Sequence, residues 1–523
     1  MWSNLETLNT EGFRVNANIR ARLAQFKRRI TRRLDKTDLR DAEQPMFTAF
    51  NIGYEIAGRA RGLAHGGIGA IHLLARRLGL IDAIDRHLHL LKLHLPYHES
   101  DHVLNFAYNA LCEGTCLEDI ELRRNEEVFL DAIGARRIPD PTTAGDFCRR
   151  FTAHDIRDLQ TIFHKTRLKV WAAQPDSFCD QATIDMDGTL VGTTGNCKQG
   201  MDIAHEGTWG YHPLVLTLAE TGEVLGLVNR SGSRPSHEGA AAEVDNALAL
   251  CRRAGFRKIL LRGDTDFSQT EHLDRWDSDP RVKFIFGYNA MSNLQELAEQ
   301  LPASDWKKLH RPARYQVKTK PRQRPDNVKD EIIRRRKFDV LRLNSEEVAE
   351  FEYRPIACQK TYRMIVVRKN ISKEKGDVRL LDEIRYFFYI TNDRESHTAD
   401  VVFSANDRCD QENLVAQLKG GCRALYAPVD NLVSNWAYMV MTALAWDLKA
   451  WWALMLPVSP GRWQERHRAE RAWVSGLEFK TFVQAFVRVP CQLVRTGRRL
   501  VFRLLSWNPH LPILFRLLDV LRC

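Results

Sequence analysis

The stretch Ala182 to Leu190, Ala-Thr-Ile-Asp-Met-Asp-Gly-Thr-Leu, carries two carboxylates at strand spacing with a Gly-Thr turn directly behind them. Side chains of a strand alternate between its faces, so Ala182, Ile184 and Met186 point one way and Thr183, Asp185 and Asp187 the other. Two like charges on one patch repel unless a cation lies between them, and a divalent metal is the obvious candidate. Taken alone, Asp-x-Asp fits an exposed, solvated strand end equally well, so the surrounding chain has to decide.

Strand-like runs follow in series. Leu214 to Leu218 and Val224 to Val228 flank a Thr221-Gly222 turn and predict a hairpin. Val244, Ala247, Leu248 and Cys251 then fall on one face of a helix that Gly255 stops. Lys258 to Asp264 reads as a short apolar strand ending in an acid, and a short helix and a strand from Val282 to Phe286 complete the series. Three strands, helix, strand, helix, strand is the order of a ribonuclease H-like mixed sheet. That topology sets the Asp264 strand end beside the Asp187 strand end.

Outward from this core the character of the chain changes. Residues 1–170 read as helical, with Lys27, Arg28, Arg29, Arg32 and Arg33 on one early helix. After Pro139-Asp140-Pro141, Thr142 or Thr143 is placed to cap a helix whose Phe147 and Phe151 face inward while Arg149 and Arg150 face out. A helix-turn-helix that reads DNA and ordinary helical packing both suit this pattern. Downstream, Lys307 to Lys337 contains 13 Lys and Arg, among them Arg322, Arg324, Arg334 and Arg335, against Asp326, Asp330 and Glu331. The chain as a whole holds 77 Lys and Arg against 66 Asp and Glu, net +11, so this one run accounts for nearly all of the excess. Pro312, Pro321 and Pro325 predict a loop there. A localised basic run is the electrostatic footprint of backbone-phosphate contact, although a solvated loop has the same composition.

Short strands are predicted at Phe338–Leu343, Met364–Val367 and Tyr386–Ile390, and helix resumes near Ala405. At about 100° per residue, Arg408, Glu412 and Lys419 fall within about 40° of one another, and Leu414, Val415 and Leu418 lie on the opposite side. The apolar run Trp436 to Trp446 ends at Asp447 and Lys449, too short for a spanning helix, and reads as a buried one. Residues 471–523 read as a basic amphipathic helical tail. With 523 residues, 11 cysteines and no Cys-x-x-Cys, the chain has room for a sizeable core, argues against structural zinc and suits a reducing compartment. The start shows no basic segment followed by an apolar core, so no secretory signal is expected.

Arg408-x3-Glu412-x6-Lys419, with Asp187-Gly188-Thr189 and Arg262-Gly263-Asp264-Thr265-Asp266-Phe267, resembles the insertion-sequence transposases of the DDE superfamily, in the branch marked by Tyr-x2-Arg-x3-Glu-x6-Lys. Gly210-Tyr211-His212-Pro213-Leu214, Phe286-Gly287-Tyr288-Asn289 and Gly497-Arg498-Arg499 resemble other segments of that branch, and the likeness runs from about residue 50 to the end. One position departs: the signature Tyr falls on Ala405. The resemblance implies that Asp187, Asp264 and Glu412 bind two Mg²⁺ or Mn²⁺ ions, with Asp185 a rival for the first position. Arg408 and Lys419 would then hold phosphate. It implies an α/β protein: a ribonuclease H-like catalytic domain over 171–290, a β-rich basic insertion over 291–395, completion of the catalytic domain by the Glu412 helix over 396–460, a helical DNA-end-binding region over 1–170 and a helical tail over 461–523. The expected partners are the element's terminal inverted repeats, target DNA and a second copy in a synaptic complex, with no membrane and a cytoplasmic, DNA-associated location. Release of the element through a hairpin would need an aromatic ring to hold an unstacked base, for which Trp306, Tyr315, Tyr362 and Phe387 are candidates.

Two rival readings stand beside this one. Asp185-Met186-Asp187-Gly188-Thr189 also matches the first motif of haloacid-dehalogenase-type phosphatases, with Asp185 as nucleophile and Asp187 as general acid/base. A hairpin after that strand, and Phe267 and Ser268 where a second Asp is expected, count against it. The other rival is a transposase-derived DNA-binding protein that no longer cuts, although all three acids are present.

Overall fold

The computed structural model describes residues 17–35, 49, 52–54, 60–94, 96–311, 327–376, 378–497 and 499–522. Its centre is a nine-stranded mixed sheet. The strands are β1 (Gln181–Gly188), β2 (Leu214–Leu218), β3 (Glu223–Val228), β4 (Lys258–Gly263), β5 (Val282–Tyr288), β6 (Lys307–Lys308), β7 (Asp339–Tyr353), β8 (Tyr362–Lys375) and β9 (Val378–Thr391), in the spatial order β6-β7-β8-β9-β5-β4-β1-β2-β3. β2 pairs antiparallel with both β1 and β3, whereas β4 pairs parallel with β1 and β5 pairs parallel with β4. The hairpin turns at Gly222, whose φ of +72° lies in the left-handed region that glycine occupies without strain.

β1 sits inside the sheet with both faces covered, so Thr183 and Asp185 are as buried as Ala182, Ile184 and Met186. This removes the exposed-strand-end reading of Asp185. Between β3 and β4, helix α2 (Ala240–Ala254; the helix before it, Ala153–Ala172, is α1) buries Val244, Ala247, Leu248 and Cys251 and ends at Gly255, φ +90°.

Residues 291–395 differ from expectation in three ways. The strands β7, β8 and β9 have 15, 14 and 14 residues, far longer than the apolar runs suggest. Their outer parts are polar and held by cross-strand ion pairs such as Arg342–Glu374 and Arg368–Glu347, a form of pairing that apolar patterning does not reveal. They also extend the central sheet, because Phe388 to Thr391 of β9 pairs with β5. The second half of the basic run is a helix, Val328–Arg336, and not a loop. No proline follows Pro325 in that run; Asn327 caps the helix by accepting from the Asp330 amide, with Asp330 and Glu331 in the first turn and Arg334, Arg335 and Arg336 in the last.

Three further expectations are corrected. The helix Pro141–Cys148 is capped by Asp140, which accepts from the Thr143 amide with Pro141 in the first turn, and neither Thr142 nor Thr143 is the cap. Phe147 and Phe151 are buried as expected. The tail is not all helix: Cys491–Thr496 and Arg499–Leu504 form a hairpin around Gly497, φ +55°, and the strand Cys491–Thr496 pairs with Gly62–Leu63. Burial of Cys491 and Leu493 with Gln492 exposed between them is the two-residue period of a strand. The helical stretch after residue 396 is broken into α3 (Thr398–Asp407), α4 (Cys409–Ala416) and a π-helical turn Gln417–Gly421.

The helix α5 (Leu432–Leu454) is the hub of the helical layers, buried from Ser434 to Leu454. Among the described residues no helix is long and apolar enough to cross a membrane. The early helix Ala17–Leu34 has no fully buried residue, with Leu23 partly covered by the core, which suits a solvated face and a DNA-touching arm alike.

Candidate active site

The position of the acids follows from strand register. β1 and β4 are parallel, with Asp185 opposite Arg262. Asp187 and Asp264 each lie two residues further along, so they leave the same end of adjacent strands side by side. Asp264 caps a short turn, Thr265–Phe267, by accepting from the Asp266 amide at 3.0 Å.

The register also fixes the fate of Asp185. Arg262 donates from Nε to Asp185 Oδ1 and from a terminal nitrogen to Oδ2, each at 2.7 Å, and Asp185 is only 1% exposed. A third bond from Arg262 reaches the Ser404 carbonyl of α3 at 2.8 Å. Asp185 is therefore spent on holding an arginine that joins β4 to α3.

Asp187 is half-buried and has no such clamp. Burial pushes its carboxyl up to about 6, against the pull of Arg408, and the neighbouring charges of Asp264 and Glu412 push the same way. Burial likewise raises Asp264, again opposed by Arg408. Arg408 stands at the break between α3 and α4, its guanidinium 3.8 Å from Asp187 Oδ2. Lys419, carried on the π-helical turn, loses basicity through burial and regains some from Asp187. The broken helix does not present one straight stripe, yet it brings Arg408, Glu412 and Lys419 to Asp187.

Glu412 is exposed in the first turn of α4, and its neighbour Gln411 is buried beneath it. Gln411 accepts from the Thr217 hydroxyl and donates to the Val215 carbonyl at 3.2 Å, which pins α4 to β2. Sequence reading assigned no role to Gln411, Arg262 or His212. The available signals were a glutamine on the apolar side of the wheel, an arginine in an apolar strand, and a histidine in the Gly-Tyr-His-Pro segment. His212 donates from Nδ1 to the Arg234 carbonyl at 2.7 Å, and its Nε2 lies where a Cβ on Gly188 would stand 2.8 Å away.

The chemistry of the donor set, three carboxylates with no thiol or imidazole, is that of a hard divalent cation such as Mg²⁺. Among the described residues, however, no three His, Cys, Asp or Glu side chains are gathered closely enough to hold an ion between them. Arg322 and Arg324 lie outside the described residues, as does Tyr315, and Arg334 and Arg335 sit on the exposed helix Val328–Arg336. Of the other aromatic candidates, Tyr362 is a core residue bonded to Asp274 at 2.6 Å, Trp306 is covered by Arg368 at 4.0 Å, and Phe387 is 41% exposed under the Lys369 ammonium.

Residues 54–523 match the family described as Transposase DDE domain group 1, and the chain belongs to that family of DDE transposases. None of the curated proteins matches it. Among solved structures it is similar to a piggyBac transposase in a synaptic complex with hairpin DNA, determined by cryo-EM. That likeness covers 82% of this chain and 81% of the other at 10% identity, with a TM-score of 0.35.

Proposed function

We propose that this DDE transposase binds the ends of its own insertion sequence and carries out metal-dependent cleavage and strand transfer in a ribonuclease H-like sheet, with Asp187, Asp264 and Glu412 as the catalytic carboxylates. The observation that carries this reading is the β1–β4 register, which leaves Asp187 and Asp264 side by side while α4 holds Glu412 close enough to act on Asp187. The capture of Asp185 by Arg262 supports Asp187 as the first acid, and it counts against a phosphatase that needs Asp185 as its nucleophile.

Asp187, Asp264 and Glu412 are the residues that would hold Mg²⁺ or Mn²⁺, which when bound activates an attacking water or 3′-hydroxyl and steadies the leaving oxygen. Arg408 and Lys419 bind and orient the scissile strand through its phosphates, with Arg408 the better placed for a two-pronged contact. Gln411 and Arg262 keep the elements that carry the acids in place. Further from the reacting bond, the run holding Arg322, Arg324, Arg334 and Arg335 binds backbone phosphate, and the helical region 1–170 reads the element ends. The working form is a dimer on paired DNA ends, DNA-associated in the cytoplasm. The division into 171–290, 291–395, 396–460 and 461–523 belongs to the same proposal.

The test is cleavage of duplexes covering the DNA that flanks the coding sequence, in Mg²⁺ or Mn²⁺. Asp187→Ala, Asp264→Ala and Glu412→Ala are each expected to abolish cutting and to leave end binding largely intact. Cutting that survives in Asp264→Ala or Glu412→Ala overturns the assignment.

A further inference from the structure

The branch's signature tyrosine falls on Ala405, so α3 brings no phenol to the site. Ala405 packs together with Tyr389 of β9 against one apolar cluster that includes Ile285, Ile365, Val401 and Val402. Tyr389 stands opposite Gly287 in the β9–β5 register, and opposed residues of an antiparallel pair share a face. Gly287 is the point where β5 lies against the Asp264 turn: a Cβ there would be 2.8 Å from the Thr265 amide nitrogen and 3.1 Å from the Asp264 carbonyl carbon. The register therefore sets Tyr389 alongside that turn, on the face that α3 covers. Its hydroxyl feels the charges of Arg311 and Arg408, and burial keeps the phenol protonated by raising its pKa. Among the described residues that hydroxyl has no hydrogen-bond partner.

We propose that Tyr389 supplies from the sheet the phenol that α3 lacks, its hydroxyl donating to a DNA backbone phosphate held by Arg408 beside Asp264. Tyr389 is thus a DNA-contacting residue of this chain, and the inference rests on the function proposed above. A neutral donor suits this place. It can bond a phosphate oxygen without competing with Arg408 for the charge of the acids.

The experiment uses the full chain and flanking duplexes in which single methylphosphonates are stepped along each strand. Binding is measured in Ca²⁺ and cutting in Mg²⁺. Tyr389→Phe keeps the ring and its packing and removes one oxygen. It is expected to lower binding or cutting roughly tenfold or more with an unchanged thermal midpoint. One methylphosphonate that weakens the wild type should cost Tyr389→Phe little, the non-additivity expected of two partners in one interaction. Equal activity of the two proteins, or equal sensitivity at every phosphate, overturns the proposal. Failure of the underlying reading looks different: the wild type itself then binds flanking duplexes no better than unrelated DNA and makes no cut, and the role of Tyr389 falls with it.

Discussion

Asp185 and Asp187 are two residues apart on one face of one strand, and their surroundings give them opposite work. Asp185 neutralises Arg262 deep in the sheet, whereas Asp187 meets other acids at the strand end. Removing one partner of a buried ion pair leaves the other charge uncompensated, at a cost of roughly 3–5 kcal/mol. Asp185→Ala is therefore expected to lower the thermal unfolding midpoint sharply, while Asp187→Ala leaves it unchanged or raises it by relieving repulsion with Asp264 and Glu412. Calorimetry on the two variants checks this. An Asp185→Ala protein that melts like the wild type yet cannot cut would make Asp185 the reacting acid and reverse the roles.

At the scale of elements, the basic run divides into a helix with its own cap and an adjoining segment outside the described residues. The helix Val328–Arg336 buries no residue, and its last turn carries Arg334, Arg335 and Arg336. Replacing Arg334, Arg335 and Arg336 by Gln is expected to weaken DNA binding and to reduce the slope of log K against log salt by up to roughly 0.9 for each phosphate the protein no longer neutralises. Preference for the element ends over other sequences should persist, because binding to phosphate carries little sequence information. Titrations at several salt concentrations read both quantities, and an unaltered slope would make the helix a solvated surface.

Across the whole molecule, one buried network joins the helical layers to the sheet. Arg167 of α1 donates to Glu223 of β3 at 3.0 Å and to Asp447 of α5 at 2.7 Å, and the indoles of Trp171 and Trp451 both donate to Glu223 at 2.8 Å. Burial pushes the Asp447 carboxyl up to about 7 despite the opposing pull of Arg167, and Glu223 adds to the rise. An acid raised in this way holds a proton in the folded state that the unfolded chain releases near pH 4. Its contribution is therefore fully present below about pH 4 and is lost as pH rises through about 7. The thermal midpoint is expected to fall between about pH 4 and pH 7, with Asp447→Asn flattening that decline. A wild-type profile no steeper than that of Asp447→Asn would show that Asp447 is ionised throughout.

The local pattern of the sequence carried the core of this fold. Alternation in β1, the Thr221-Gly222 turn, the amphipathic α2 with its glycine stop and the apolar α5 are each fixed by neighbours a few residues apart, so each was legible before any tertiary contact. The acids proposed here lie within short motifs, so their candidacy could be read from adjacent residues. What the tertiary structure decided is every matter that depends on a partner distant in the chain. Register alone assigned Asp185 to Arg262 and left Asp187 at the open strand end. Cross-strand ion pairs lengthened β7 and β8, and pairing with Gly62–Leu63 helped make a strand of a tail segment that reads as helix. The role proposed for Tyr389 has the same origin, because the pairing of β9 with β5 sets residue 389 opposite Gly287, which adjoins the turn at Asp264. Short-range chemistry is written in adjacent residues, whereas long-range pairing is selected by the free energy of the assembled sheet.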